Sequence, residues 1–148
     1  MNKVSLFRTH VKYVFYILMS VCSVSCGTRA NADADSALIN GVYDRFVFAA
    51  GTDGMDNPED YFTDNALKQL QDDYDYDCED GSCYAYYALR TGEQDSKPDS
   101  DGLSRIYSVE PTGDGWYTVS YSDMGWFGKT RIKVVDGKID MYERLSDS

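Results

Sequence analysis

The stretch GDGWYTVSYSDMGWFGKTRIKVVDGKID, residues 113–140, decides the fold. Tyr117, Val119 and Tyr121 fall on one side of an extended chain, and Thr118, Ser120 and Ser122 on the other. Successive side chains of a strand point to opposite faces, so this alternation marks a half-buried strand. Ile132 and Val134 alternate with Arg131 and Lys133 in the same way. Asp136-Gly137 is a two-residue hairpin signal, because a type I′ turn needs two residues in the left-handed region. Gly113-Asp114-Gly115 is a second turn. The spacing predicts antiparallel strands over 103–110, 116–123, 129–135 and 138–144.

Working outward, Tyr84, Tyr86 and Ala88 alternate with Ala85, Tyr87 and Leu89. That predicts a further strand with both faces partly apolar. Residues 91–102 are rich in Gly, Ser and Asp and read as a surface loop. Nearer the start the period changes. Leu38, Ile39, Val42, Tyr43, Phe46 and Val47 recur at helical spacing, with Asn40, Asp44 and Arg45 on the other side. Asp35 or Ser36 is placed to cap this helix and Gly51 to stop it. Pro58 suits the first turn of a short helix through Tyr61 and Phe62. Thr63 or Asp64 caps another, with Ala66, Leu67, Leu70 and Tyr74 on its apolar side. Helices followed by a meander predict an α+β fold, N-terminal helices packed on a curved antiparallel sheet of about five strands.

The first residues read as an address. Lys3, Arg8 and Lys12 precede an apolar run from Tyr13 to Val21, too short to span a bilayer and long enough for a signal sequence. Ser23-Val24-Ser25-Cys26-Gly27 resembles a bacterial lipobox, with Ser23 where such boxes usually carry Leu. The resemblance implies a signal peptide over 1–25, an acyl chain on Cys26 as membrane anchor, and a bacterial cell-envelope location, periplasmic or surface-facing. Ordinary cleavage near Ala30 or Ala32, and modification of Cys22 instead, are the alternatives. Residues 26–35, small and polar, read as a lipidated flexible tether, and residues 36–146 as a single domain. The 148-residue length suits one domain.

The formal charge is −11, and loss of the three leader cations makes the remainder more negative. An acidic surface repels phosphate backbones, so no nucleic-acid partner is expected. With Cys22 in the leader and Cys26 acylated, Cys78 and Cys83 remain, and in an exported chain they read as one disulfide.

Several segments narrow the resemblance. They are Val42-Tyr43-Asp44-Arg45-Phe46-Val47, Leu70-Gln71-Asp72-Asp73-Tyr74-Asp75-Tyr76, Leu89-Arg90-Thr91-Gly92-Glu93-Gln94-Asp95, Gly113 to Val119, and Thr130-Arg131-Ile132-Lys133. Together they resemble a family of small secreted bacterial lipoproteins, the domain of unknown function 3828. The element order resembles the nuclear transport factor 2-like or cystatin-like cone. The resemblance implies the fold and the envelope location. It implies no chemistry, because no activity is assigned to the family.

The only histidine, His10, lies in the leader. The remainder therefore has no imidazole for a Ser-His-Asp or Cys-His arrangement, nor for His-ligated zinc. No phosphate-binding or dinucleotide motif is present, and no cofactor is expected. Asp73, Asp75 and Asp77 alternate like the first ligands of a calcium loop, but Cys78 stands where that loop needs Gly, and Tyr84 where it needs Glu. Asp75, Asp77, Glu79 and Asp80 remain candidates for a weak divalent-cation site. The aromatic residues Tyr84, Tyr86, Tyr117, Tyr121, Trp126 and Phe127 are candidates for ligand binding. Trp126 and Phe127 matter most, since they sit in a glycine-flanked turn. Aromatic wealth without catalytic residue types favours a non-catalytic module that binds a small molecule, glycan or protein. The alternative is an enzyme using carboxylates alone, such as a hydrolase or isomerase, with Asp44, Asp123 or Asp140 as the base.

Overall fold

The structure is a computed structural model; it describes residues 24–49 and 57–145, with side chains from residue 29 onward. Helix α1 spans Val24–Val42 and passes directly into a π-helical turn, Tyr43–Val47. A 3-10 turn at Pro58–Asp60 precedes helix α2, Asp64–Asp72. Another 3-10 turn covers Tyr86–Leu89. Four strands follow: β1 Arg105–Gly113, β2 Trp116–Asp123, β3 Trp126–Val135 and β4 Lys138–Leu145. They pair as neighbours in one antiparallel sheet, in the order β1-β2-β3-β4. The fold is α+β, as the sequence predicts, with four strands rather than five.

The missing strand is residues 84–89. Ala85, Ala88 and Leu89 are its buried positions. That spacing belongs to a helical turn, and the Ala88 N–H donates to the Ala85 carbonyl at 2.8 Å. The alternating tyrosines suggest period two, but burial of the small residues and Leu89 decides the backbone.

The helix start is also corrected. α1 begins at Val24, so residues 28–35 are helical where the sequence suggests irregular chain, and neither Asp35 nor Ser36 starts the helix. Ala30, Ala32, Ala34 and Ala37 explain the extension, since alanine has the highest helix propensity. The chain divides by its contacts after Ala34. In the first unit the described residues, 24–34, are helical. The unit from Asp35 onward holds the core. Of the signal-peptide reading, residues 1–25, the part over 1–23 lies outside the described residues, as does the Cys26 side chain. Among the described residues no helix is long and apolar enough to cross a membrane.

The core forms where the stripe Ile39, Val42, Tyr43, Phe46 and Val47 meets the inward positions of the sheet, among them Tyr117, Val119, Tyr121, Ile132 and Ile139. Thr63 caps α2 through a hydrogen bond from the Ala66 N–H to its Oγ1. The free edge of β4 is covered by the segment before that helix. The Thr63 N–H donates to the Ile139 carbonyl and the Ile139 N–H to the Tyr61 carbonyl, each at 2.9 Å. Gln69 extends the cover, donating to the Tyr142 carbonyl and accepting from the Tyr142 N–H. Covering an edge in this way blocks pairing with another chain.

All three hairpins turn on residues with positive φ: Asp114-Gly115, Met124-Gly125 and Asp136-Gly137. The middle one was missed as a turn of two residues, so β3 starts at Trp126 instead of residue 129. Gly115 is the most constrained. At φ +76°, a Cβ there would lie 2.7 Å from the Val134 carbonyl oxygen. Gly115→Ala therefore combines backbone strain with a clash and is expected to destabilise the fold by about 1–3 kcal/mol, read from urea unfolding.

Candidate functional site

Asp123 is the last residue of β2 and its side chain is fully buried. Four donors surround the carboxylate. Arg90 donates from Nη2 at 2.6 Å and from Nε at 3.1 Å, both to Oδ1. Thr91 donates from Oγ1 to Oδ2 at 2.8 Å, and Ser104 from Oγ to Oδ1 at 3.3 Å. Ser104 Oγ also accepts from the Met124 N–H at 3.0 Å. Burial alone raises the Asp123 pKa, but the hydrogen bonds from Arg90 and Thr91, with the guanidinium charge, outweigh it. The carboxyl is therefore held below the usual carboxylate range and stays ionised.

A second polar set lies beside it in the core. Tyr43 donates through its hydroxyl to the Leu89 carbonyl at 3.1 Å. Thr130 Oγ1 reaches the same carbonyl at 3.4 Å and shares a hydrogen bond with the Tyr121 hydroxyl at 3.2 Å. The Tyr43 and Tyr121 rings are 5.4 Å apart. Burial pushes the Tyr43 hydroxyl pKa up, so it is a donor and not an anion. Among the described residues no buried side-chain polar atom lacks a partner.

Arg90 and Thr91 from the first set and Tyr121 from the second line a small open cleft of about 180 Å³. β4 reaches only Leu145, opposite Lys129, so Trp126, Phe127 and Gly128 run past its described end. The segment Arg90–Glu93 crosses there, and the cleft opens between them. Three cations, Arg90, Lys129 and Arg144, line it with one carboxylate, Glu93. Trp126 and Phe127 supply its rings. Arg144 is held by hydrogen bonds to the Ala88 and Tyr87 carbonyls, and the Trp126 indole N–H donates to the Asp95 carbonyl at 2.9 Å. The arrangement suits a small ligand with an anionic group and an apolar face.

The structure gathers only part of the aromatic set proposed from sequence. Tyr121, Trp126 and Phe127 share the cleft, with the Tyr121 ring packed over Gly128. Tyr117 is buried elsewhere, its hydroxyl donating to Asp35 at 2.7 Å. Tyr84 and Tyr86 pack on one another, and Tyr86 packs on Phe46 and Phe62. Those three tyrosines belong to the core and its margin. Arg90, Thr91, Lys129 and Arg144 were missed, because cations scattered over a loop and two strands leave no local pattern.

Cys78 and Cys83 form the expected disulfide. Asp75, Asp77, Glu79 and Asp80 are all exposed. Asp80 accepts from the Ser82 hydroxyl and N–H, which hold its carboxyl below the usual range. Among the described residues the one group of three candidate ligand atoms within 4.8 Å of one another is Cys78, Asp80 and Cys83, and the disulfide occupies its two sulfurs. Asp75, Asp77 and Glu79 join no such group. Of the three carboxylates considered for catalysis, Asp123 is held as described, Asp140 accepts from Thr63 Oγ1 at 2.8 Å, and Asp44 is exposed. A larger groove, about 480 Å³, lies between α2 and β4 and is lined by Asp72, Asp73, Asp75 and Glu143. The Tyr142 hydroxyl donates to Asp73 there at 2.6 Å.

Asp123→Asn removes the charge that Arg90 and Thr91 address, and is expected to cost about 2–4 kcal/mol. The pH dependence follows from the lowered carboxyl. Its stabilisation is fully present above the unfolded pKa of about 3.9 and is lost as pH falls through the folded value. Acid unfolding of the parent protein should therefore show a component absent from Asp123→Asn, read by circular dichroism between neutral pH and acid.

Comparison with known proteins finds no match: no protein-family model, no curated protein and no solved structure is similar to this chain.

Proposed function

We propose that the protein is an envelope lipoprotein whose folded unit is a non-catalytic binding module, with its site in the cleft beside the Met124-Gly125 turn. One observation carries the binding reading. Arg90, Lys129 and Arg144 meet Trp126 and Phe127 around one small opening in a chain that is otherwise strongly acidic. Cations concentrated against the sign of the whole molecule mark a place for an anionic group. Rings beside them supply a face for the rest of the ligand. A volume near 180 Å³ fits one sugar ring or the charged end of something longer. Asp123 supports the site from beneath: it fixes Arg90 and Thr91 without taking part in chemistry. The envelope reading rests on the basic leader, its apolar run and Ser23-Val24-Ser25-Cys26-Gly27. The resemblance to the small secreted lipoproteins, the domain of unknown function 3828, supports the envelope reading.

Two measurements test this. Thermal-shift and intact-mass screens against sugar acids, bile acids and acidic peptides should find a ligand whose affinity falls about tenfold in Trp126→Ala, the loss expected when a ring leaves a binding site. Full affinity in Trp126→Ala and in Phe127→Ala would remove the cleft assignment. Radiolabelled palmitate should enter the protein in a bacterial host and fail to enter Cys26→Ser. Equal labelling of the two would remove the anchor.

A further inference from the structure

The helices pack on one face of the sheet, and the other face has a distinct chemistry. Its centre is β2 and β3. The outward positions of β2 are Trp116, Thr118, Ser120 and Ser122, the last of them buried beneath the Leu103 carbonyl to which it donates, and those of β3 are Phe127, Lys129, Arg131, Lys133 and Val135. These positions hold three cations and no carboxylate, in a chain with 25 acidic residues. Arg105 adds a cation from β1. Glu110 and Glu143 stand only on the edge strands, and Asp101 before β1 pairs with Arg105 at 2.9 Å. Arg131 pairs with Glu143 at 2.7 Å. Both pairs are exposed, so an incoming anion competes with them at little cost.

The rings of this face are arranged with the cations. The Arg131 guanidinium lies 4.5 Å from the Trp116 ring and the Lys133 ammonium 5.6 Å. Tyr107 and Phe127 stack at 6.4 Å with their planes 18° apart, and both are about half exposed, at 55% and 48%. They form one flat apolar pad. Between pad and cations lie short hydroxyl side chains: Ser108 pairs with Ser120, and Thr118 stands opposite Glu110, to which the Ser108 hydroxyl donates at 3.1 Å.

We infer that this outer face is a docking surface for an anionic polysaccharide. Charge complementarity gives the sign: a cationic strip on an acidic protein attracts an acidic polymer locally and repels it elsewhere, which fixes orientation. The spacing of charge selects the polymer. Double-stranded DNA carries one charge per about 1.7 Å and so meets the net repulsion of the whole chain most strongly, whereas a glycan with one acid per ring presents few charges to few cations. Ring faces attract the polarised C–H groups of a sugar, and the short hydroxyl side chains exchange hydrogen bonds with its hydroxyls. An extended peptide docks instead on a sheet edge. Here β4 is covered, while β1 is broken by register shifts at Ile106/Ser108 and Pro111/Gly113, and Pro111 has no N–H. The surface adjoins the cleft and shares Phe127 and Lys129 with it, whereas Trp116, Arg131, Lys133 and Tyr107 lie outside the cleft lining.

The test uses the full chain and affinity electrophoresis against polygalacturonate, alginate and neutral dextran, with a DNA duplex for comparison. Polygalacturonate and alginate, each with one carboxylate per ring, should retard the protein in a salt-sensitive way and dextran should not. The double variant Arg131→Gln/Lys133→Gln, with thermal midpoint unchanged, should weaken retardation about tenfold or more. Tyr107→Ser should weaken it several-fold, and Trp126→Ala should leave it unchanged, which separates this face from the cleft. No retardation by either polyanion overturns the inference. So do equal retardation of the parent and the double variant, DNA binding as tight as the glycans, and a concentration-dependent dimer that accounts for the mobility change.

Discussion

The fold turns on one buried charge. Asp123 sits at the end of a central strand with no access to water, and an isolated carboxylate there would be very costly. Four hydrogen bonds from three side chains remove that cost. The donors come from different parts of the chain: Arg90 and Thr91 follow the 3-10 turn, and Ser104 precedes β1. The carboxylate therefore pins the turn segment and the start of the meander to the same corner of the sheet. Hydrophobic burial alone would not choose that corner, because it is non-directional. The Tyr43, Thr130 and Leu89 set continues the tie to the helix, so the polar and apolar cores are one structure.

That corner is also where the cleft opens, and the two facts are connected. Arg90 is rigid because Asp123 holds it, and its side chain is still 27% exposed. A cation fixed in this way loses little freedom when an anion arrives. Arg144 is held likewise by two carbonyls. The same bonds that satisfy the interior prepare the opening.

The regular parts of the fold were legible in the sequence for local reasons. The stripe from Ile39 to Val47 has an unbroken helical period, Thr63 is a capping side chain, and Asp136-Gly137 dictates its own turn. What escaped was decided at a distance. Residues 84–89 alternate like a strand, but Ala85 and Leu89 are drawn into the core beneath α2, and the Ala85 N–H bonds the Leu70 carbonyl. Residues 28–35 look like a polar tether until helix propensity is summed over their alanines. Half of the cleft was visible, because Trp126 and Phe127 are conspicuous beside a short glycine turn. Its cations were not, because Arg90, Lys129 and Arg144 become neighbours only when the sheet is formed. Asp123 was visible as a carboxylate, with nothing local to say that it is locked.

The nearest-neighbour order of the strands carries a consequence for how the molecule is built. Each strand pairs with the one beside it in sequence, across a link of two residues, so the meander closes only short loops and can assemble quickly. The helical stripe has no such independence. It is made early in the chain, and its cover is the last third. During synthesis or transit from the N-terminus, Phe46 can meet Phe62 and Tyr86 early, but Tyr43 has no Tyr121 ring to pack on until β2 exists. Condensation is completed late, and a chain stopped short of Ile139 would lack β4, leaving the core open where Ile139 and Tyr142 close it.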